Sequence, residues 1–498
     1  MTGPNPKSAP NSAALARRIG LPSAIVLNMM DMIGVGPFLT LPLVIAAAGS
    51  RFAVWAWLLG AAIAVCDGLV CAELGAAFPE AGGSYTFLRQ IYGPQKAGRL
   101  VSFLYVWQLS FSAPLSIASG CIGLATFLAW SWPRLNQVVF PALDKYHFIF
   151  RFQALEIPLS IPLNFHYTNI VAAAACLLVT ALLYRNLSSI TRLAWLLFGG
   201  VLITLFGVIA SGIVAGNAIA GGGGWQLQSL IGWPSLALLP ALAQATLFTC
   251  YDFWGYYNIC FLGAEVRNPE KTIPRAILIS ILVVAAFYVA MNLAVLPAIG
   301  PVSTQAAAAV APSRLALVAE IAQSAFGHSA GRILATLIMW SAFSSIFSLL
   351  LGYSRVPYAA ARDGNYFSGL AAVHTRHGIP HRSLIALGLV ATLFCFFSLK
   401  EVITLLVVIR ILLQFLLQQV GVMWLRWSQP KLVRPFKMPL YPLPPLAAIA
   451  GFVYIVAWRP HPLVELGAAA AMAAIGTIIY MVRARNRREW PFDGRQKV

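Results

Sequence analysis

Apolar residues fall along this chain in long uninterrupted runs. They do not follow the two-residue alternation of a half-exposed strand. Twelve runs approach or exceed the length a helix needs to cross a bilayer core of about 30 Å. They cover roughly 21–48, 53–78, 100–129, 168–184, 188–215, 236–264, 275–297, 331–354, 383–398, 402–425, 443–458 and 463–482. Two of them are interrupted. The first carries Met32-Ile33-Gly34-Val35-Gly36-Pro37-Phe38 in its middle, where two glycines and a proline oppose helix. The sixth carries Thr249-Cys250-Tyr251-Asp252-Phe253-Trp254-Gly255-Tyr256-Tyr257, a carboxylate and a glycine among aromatics. A break at membrane depth frees backbone N–H and C=O groups that hydrocarbon cannot satisfy, so they must face protein, water or a ligand.

The two breaks lie about half a chain apart, at matching positions of two halves. Interrupted spans so placed point to a transporter site at the interface of two repeats. The pattern therefore predicts an all-α membrane protein of twelve transmembrane helices. Spans 1–5 and 6–10 form a five-plus-five inverted repeat with helices 1 and 6 broken, and two extra helices follow. The expected divisions are a cytoplasmic tail at 1–20, a transporter domain at 21–482 and a basic cytoplasmic tail at 483–498. Within the domain the repeats cover about 21–215 and 236–425, and the extra helices about 443–482. Half-helix N-termini attract a carboxylate, and unwound carbonyls receive an ammonium. A zwitterionic α-amino acid has that polarity.

Between the runs, 130–167 is mixed polar and aromatic, Leu315–Phe326 suits a short helix over an entrance, and Gly221–Gly224 suits a linker. The segment Gly82–Gly98, after Pro79, suits an interfacial helix. The first twenty residues lack a signal-peptide core, so the first span is expected to serve as an uncleaved insertion signal.

Composition agrees with the pattern. The chain has 498 residues, 59% hydrophobic and 10% charged, with mean hydropathy +0.78, whereas soluble domains carry about 25% charged residues. The net charge of +19 sits in short loops and forms no basic face alternating with aromatics, so no nucleic-acid partner is expected. Of 34 Lys and Arg, 25 fall on the side of the termini and 8 on the other. That bias places both termini in the cytoplasm, in the plasma membrane, or the inner membrane of a bacterium. The seven cysteines all lie within apolar runs without metal-ligand spacing. No metal or cofactor is expected, nor, with no cysteine in the outer segment 130–167, a disulfide-linked accessory chain. An enzyme would need a recognisable catalytic or nucleotide-binding motif, and none is evident. A channel is the nearer alternative class.

Four stretches resemble the amino acid–polyamine–organocation superfamily of secondary transporters. They are the Met32–Phe38 motif; Ala72-Glu73-Leu74 with Phe78-Pro79-Glu80-Ala81-Gly82-Gly83-Ser84-Tyr85; Gly263-Ala264-Glu265-Val266-Arg267-Asn268-Pro269 with Ile273-Pro274-Arg275-Ala276; and Ser354-Arg355-Val356 with Ala361-Arg362-Asp363-Gly364, His374 and Pro380-His381. The later Arg434-Pro435-Phe436-Lys437-Met438-Pro439 also fits. The resemblance implies a secondary active amino acid permease working by alternating access, proton-coupled or exchanging, with a polyamine or organic cation as the alternative substrate. It implies that the substrate carboxylate meets the N–H groups of Val35 and Gly36, and the amine meets carbonyls near Met32, Tyr251 and Trp254. Pro37 has no N–H to add.

The candidate binding set is therefore Met32, Ile33, Gly34, Val35 and Gly36 with Tyr251, Asp252, Trp254 and Gly255. Asp31, Asp252 and Arg410 form the candidate coupling or charge network, since each ionised group within a span costs at least about 2.5–3.5 kcal/mol. The structural alternative is an ion pair of Arg410 with Asp31 or Asp252. Asp67 reads as structural. Tyr251 and Trp254 are candidate gate aromatics, and Glu265 is a candidate inner lock with Arg355 or Arg362. Ser341, Ser344, Ser345 and Ser348 could hold sodium beside helix-1 carbonyls or simply pack helices. No basic residue lies between Ala194 and Gly212 in span five.

Overall fold

The computed structural model describes residues 15–139, 147–152, 157–162, 165–185, 187–219, 232, 235–299, 316–397, 408, 410–459 and 461–492. The first span is two helices, α1 (Leu21–Met32) and α2 (Gly36–Ala48), bent by 45° at residues 33–35. Pro37 sits in the first turn of α2, where its missing N–H breaks no helical hydrogen bond. After α3 (Ala53–Ala77) comes α4 (Ser84–Ile91), the short helix expected after Pro79, and then α5 (Ala97–Ser131). An antiparallel hairpin, β1 (His147–Phe152) with β2 (Ile157–Pro162), lies inside the polar and aromatic segment. α6 (Tyr167–Leu183) and α7 (Leu187–Ile219) complete the first half. The Gly221–Gly224 run lies outside the described residues.

The sixth span stops early. α8 (Leu239–Phe253) ends at Trp254, four residues turn, and α9 (Asn258–Phe261) makes a single helical turn before a 3₁₀ turn at Gly263–Glu265. The run expected to continue helically to 264 is therefore mostly unwound on its second side. α10 (Pro269–Ile299), α11 (Leu317–Phe326), α12 (His328–Tyr353), α13 (Arg355–Arg362) and α14 (His381–Phe394) follow. Only part of the tenth run is described: Arg410 leads into a π-helical stretch, Ile411–Leu416, then α15 (Leu417–Ser428). α16 (Leu443–Ala457) and α17 (Pro462–Arg487) end the chain.

Among the described residues, seven helices are long and apolar enough to cross a membrane, or eight when the bent α1–α2 pair counts as one span. Four more apolar helices, including α6, α14 and α16, have 10–17 residues. Their outward faces stay apolar: Leu196, Phe206, Leu282, Leu393 and Ile478 are each more than half exposed. So many large apolar side chains on one surface suit lipid, not water. The core lies where α1, α2, α8 and α9 meet α3, α5, α10 and α12.

Candidate functional site

The two breaks are in backbone contact. Gly255 adopts φ +145°, and a Cβ there would lie 2.9 Å from both the Asp31 Cβ and the Met32 N. A side chain at this position would push the breaks apart. Gly34 faces α12 just as closely: its Cβ would stand 2.6 Å from the Ser345 Oγ. Val35 seats its side chain in the notch left by Gly123 of α5.

Several of the freed backbone groups have side-chain partners that the motifs did not reveal. The Tyr288 hydroxyl, from α10, donates to the Met32 carbonyl at 2.7 Å and reaches the Asp252 carbonyl at 3.3 Å. One phenol thus ties helix 1 to helix 6, and the Met32 carbonyl expected to be open to a substrate amine is already engaged. The Asn28 side chain accepts from the Ile259 N–H at 3.0 Å. Asn258 donates to the Ser348 Oγ at 2.8 Å and to the Ser348 carbonyl at 3.1 Å. Nothing in the spacing of Asn28, Asn258 or Tyr288 marks them; each is one polar atom in an apolar run.

The four serines of α12 divide. Ser348 Oγ donates to the Leu27 carbonyl at 2.7 Å and Ser345 Oγ to the Asp31 carbonyl at 3.2 Å. Ser344 turns to the Trp340 and Leu197 carbonyls instead, and Ser341 Oγ is buried without a hydrogen-bond partner among the described residues. They do not form one oxygen cage. Two of them lace α12 to α1, as packing serines do.

The intramembrane charges have three kinds of surroundings. Asp67 is fully buried and accepts from the Tyr256 hydroxyl and the Gln419 amide, joining α3 to helices 6 and 10. Arg410 is 2% exposed; its guanidinium donates to the Tyr353 hydroxyl at 3.0 Å and to the Ser112 and Ser116 hydroxyls at 3.2 and 3.1 Å. It also lies over the Trp254 and Tyr353 rings, 5.3 and 5.5 Å from their centroids. Among the described residues, the ion pair with Asp31 or Asp252 weighed for Arg410 is thus replaced by hydroxyls and ring faces, which stabilise a cation without fixing it in an ion pair. Asp31 and Asp252 sit at the breaks, nine-tenths or more buried, each with its Oδ1 unpartnered among the described residues. The other Asp252 oxygen accepts from Thr40 of α2, a residue the motifs did not single out.

Tyr251 hydrogen-bonds Ser119 of α5 at 2.9 Å and meets the Trp254 ring edge-on, with centroids 6.0 Å apart. Trp254 continues into Phe415 and Phe452, so the aromatic layer crosses from helix 6 to helices 10 and 11. Beyond it, Glu265 takes Arg355 in a two-pronged pair, Nε to Oε1 at 2.8 Å and Nη2 to Oε2 at 3.3 Å, with both side chains buried. Arg362 is not its partner; it stacks over Tyr358. The Glu265 carbonyl accepts from Arg18 and Ile19, and the Arg267 N–H donates to the Ile19 carbonyl. The segment before α1 is thereby held against the end of helix 6.

A profile of the family described as amino acid permease matches residues 19–482. The chain is 27% identical to Asc-type amino acid transporter 1 of Homo sapiens, with 92% of this chain and 80% of that one covered. It is 25% identical to the serine/threonine exchanger SteT of Bacillus subtilis, with 89% and 91% covered. With the large neutral amino acids transporter small subunit 2 of Oryctolagus cuniculus it shares 28% identity over 96% of this chain and 81% of that one. The chain belongs to the amino acid permease family of the amino acid–polyamine–organocation superfamily: it is a multi-pass secondary transporter for amino acids and not an enzyme.

Proposed function

We propose that this permease takes up amino acids by alternating access about the two breaks, with proton entry as the driving step. In this reading twelve helices form two inverted five-helix repeats and two additions, with both termini in the cytoplasm of a plasma or inner membrane. The substrate lies against Met32–Gly36 and Tyr251–Gly255, under the Tyr251 and Trp254 rings, and Glu265 with Arg355 closes the cytoplasmic side. The observation that supports it most is the contact of Gly255 with Asp31 and Met32, which brings both sets of interrupted backbone to one place.

Proton coupling is favoured over sodium by the serine face. The Ser345 and Ser348 hydroxyls donate into the carbonyls of Asp31 and Leu27, where sodium would require oxygen lone pairs. Asp31 and Asp252 each leave one buried carboxylate oxygen free to carry a proton. The test is uptake into liposomes, with labelled serine, threonine, leucine and putrescine offered separately under an imposed pH gradient or an imposed sodium gradient. Uptake of an amino acid driven by the pH gradient, and lost in Asp31→Asn or Asp252→Asn while exchange persists, is the expected result. Uptake that follows sodium at constant pH and survives both substitutions defeats the coupling scheme. Putrescine taken up in place of every amino acid would assign the acids to an organic cation.

A further inference from the structure

The N-terminus of α2 is the half-helix end at which a substrate carboxylate would sit, and the chain has placed a carboxylate of its own there. The first N–H groups of a helix have no intrahelical partner. Pro37 removes one donor, leaving Val35 and Gly36 as the amides of the seat. Asp252 reaches this point from α8. One of its oxygens accepts from Thr40, one turn into α2. The other, Oδ1, is buried without a hydrogen-bond partner among the described residues and lies so close to Gly36 that a Cβ there would collide with it. Gly36 is the residue that lets the carboxylate approach.

We propose that Asp252 competes with the substrate for the start of α2, so that an amino acid carboxylate is admitted together with one proton on Asp252. This rests on the reading that the α2 start is the carboxylate seat. Two carboxylates sharing one site cannot both remain ionised at low cost. The proton cancels one of them, and Thr40 can hold the neutral acid by donating to its carbonyl oxygen or by accepting a hydrogen bond from its O–H. Substrate and proton then enter as a unit, and loss of the proton on the far side drives the carboxylate out.

Among the described residues, the other ionisable groups around Asp252 are few. Tyr288 of α10 reaches its backbone carbonyl, and Cys250 and Tyr251 adjoin it on α8. Asp31 of α1 lies across Gly255. From α3 the nearest acid is Asp67, occupied by Tyr256 and Gln419. Arg410 stands beyond Trp254. α2 itself contributes Thr40 and no charge, and α16 presents Tyr454 to the Leu239 carbonyl at the far end of α8.

Equilibrium binding to purified protein in nanodiscs, without any gradient, tests this between pH 5 and 8. L-serine and L-leucine are compared with ethanolamine and isopentylamine, their decarboxylated counterparts. Affinity for the two amino acids should fall with rising pH, approaching tenfold per unit once Asp252 is ionised. The two amines should keep their affinity or gain it. In Asp252→Asn, amino acid binding should stay tight and become independent of pH. Amino acid affinity flat with pH in the natural chain overturns the proposal, and so does a folded Asp252→Asn that no longer binds them. Should the variant fail to fold, the amino acid and amine series on the natural chain decides alone. Absence of binding by all four probes at every pH refutes the placement of the site, a failure separate from a flat pH profile.

Discussion

If the Glu265–Arg355 pair closes one side of the permease as proposed, Glu265→Gln should open that side. The pair it breaks is two-pronged, with Nε–Oε1 at 2.8 Å and Nη2–Oε2 at 3.3 Å and side-chain exposures of 2% and 3%. Arg355 keeps the Leu351 carbonyl and the Ser354 hydroxyl after the change but loses its only counter-charge among the described residues. Leaving one partner of a buried pair unmatched costs about 3–5 kcal/mol. At about 1.4 kcal/mol per factor of ten, that displaces the closed arrangement by two to three and a half powers of ten.

The amides of Arg18, Ile19 and Arg267 report the effect, because they bridge the segment before α1 to the end of helix 6 beside this carboxylate. Their hydrogen–deuterium exchange in nanodiscs should accelerate by at least a hundredfold, while amides in the middle of α5 stay unchanged. A second variant separates gating from folding. Glu265→Leu with Arg355→Met replaces both charges by apolar groups, which is often neutral or stabilising for a buried pair. It should recover thermal stability and yet transport poorly, since the lock can no longer open into water as charges. Unchanged exchange at residues 18, 19 and 267 in Glu265→Gln refutes the reasoning. Full transport by the double variant refutes the gate.

Gly255→Ala should insert and elute normally but lose more than nine-tenths of uptake in liposomes. The added methyl meets Asp31 and Met32 at 2.9 Å, on a backbone of φ +145° that costs about 1–3 kcal/mol for a residue with a Cβ. Tyr288→Phe keeps the ring packing on Trp57 and Phe253 and removes only the hydroxyl that ties Met32 to Asp252. A loss of about 1–3 kcal/mol in stability is expected, read as a lower melting temperature. No loss would mean that water replaces the phenol.

The breaks were legible because glycine, proline and a carboxylate are conspicuous inside apolar runs. Asp31, Asp252 and Arg410 stood out for the same reason. What covers the freed backbone was not legible. Tyr288, Asn28, Asn258 and Thr40 are ordinary residues for a membrane helix, and only the crossing of helices 1, 6, 7 and 8 gives each its partner. The extent of helix 6 was misread because Tyr256 to Leu262 is as apolar as a helix should be. Its turns are held by Asn28 of α1 and by the bonds that Asn258, within the run, makes to Ser348 of α12, a tertiary cause that no local pattern carries. Glu265 left two partners open at the level of sequence. Arg355 is the one within reach because α13 begins directly after α12, while Arg362, two turns on, faces Tyr358.

The distribution of charge inside the membrane separates structure from motion. A buried ion is costly wherever it lies. Asp67 offsets the cost with donors from helices 6 and 10, so moving those helices apart would strand it. Arg410 offsets it with three hydroxyls and two ring faces, contacts that tolerate sliding better than an ion pair does. Asp31 and Asp252 are left partly unmatched, and they are the two that lie at the seam between the broken helices. A rigid bundle gains nothing from unmatched acids at its weakest seam. In the proposed carrier, a proton or a substrate ammonium would complete such a group in one state and leave it in another, and that difference in free energy would turn the seam.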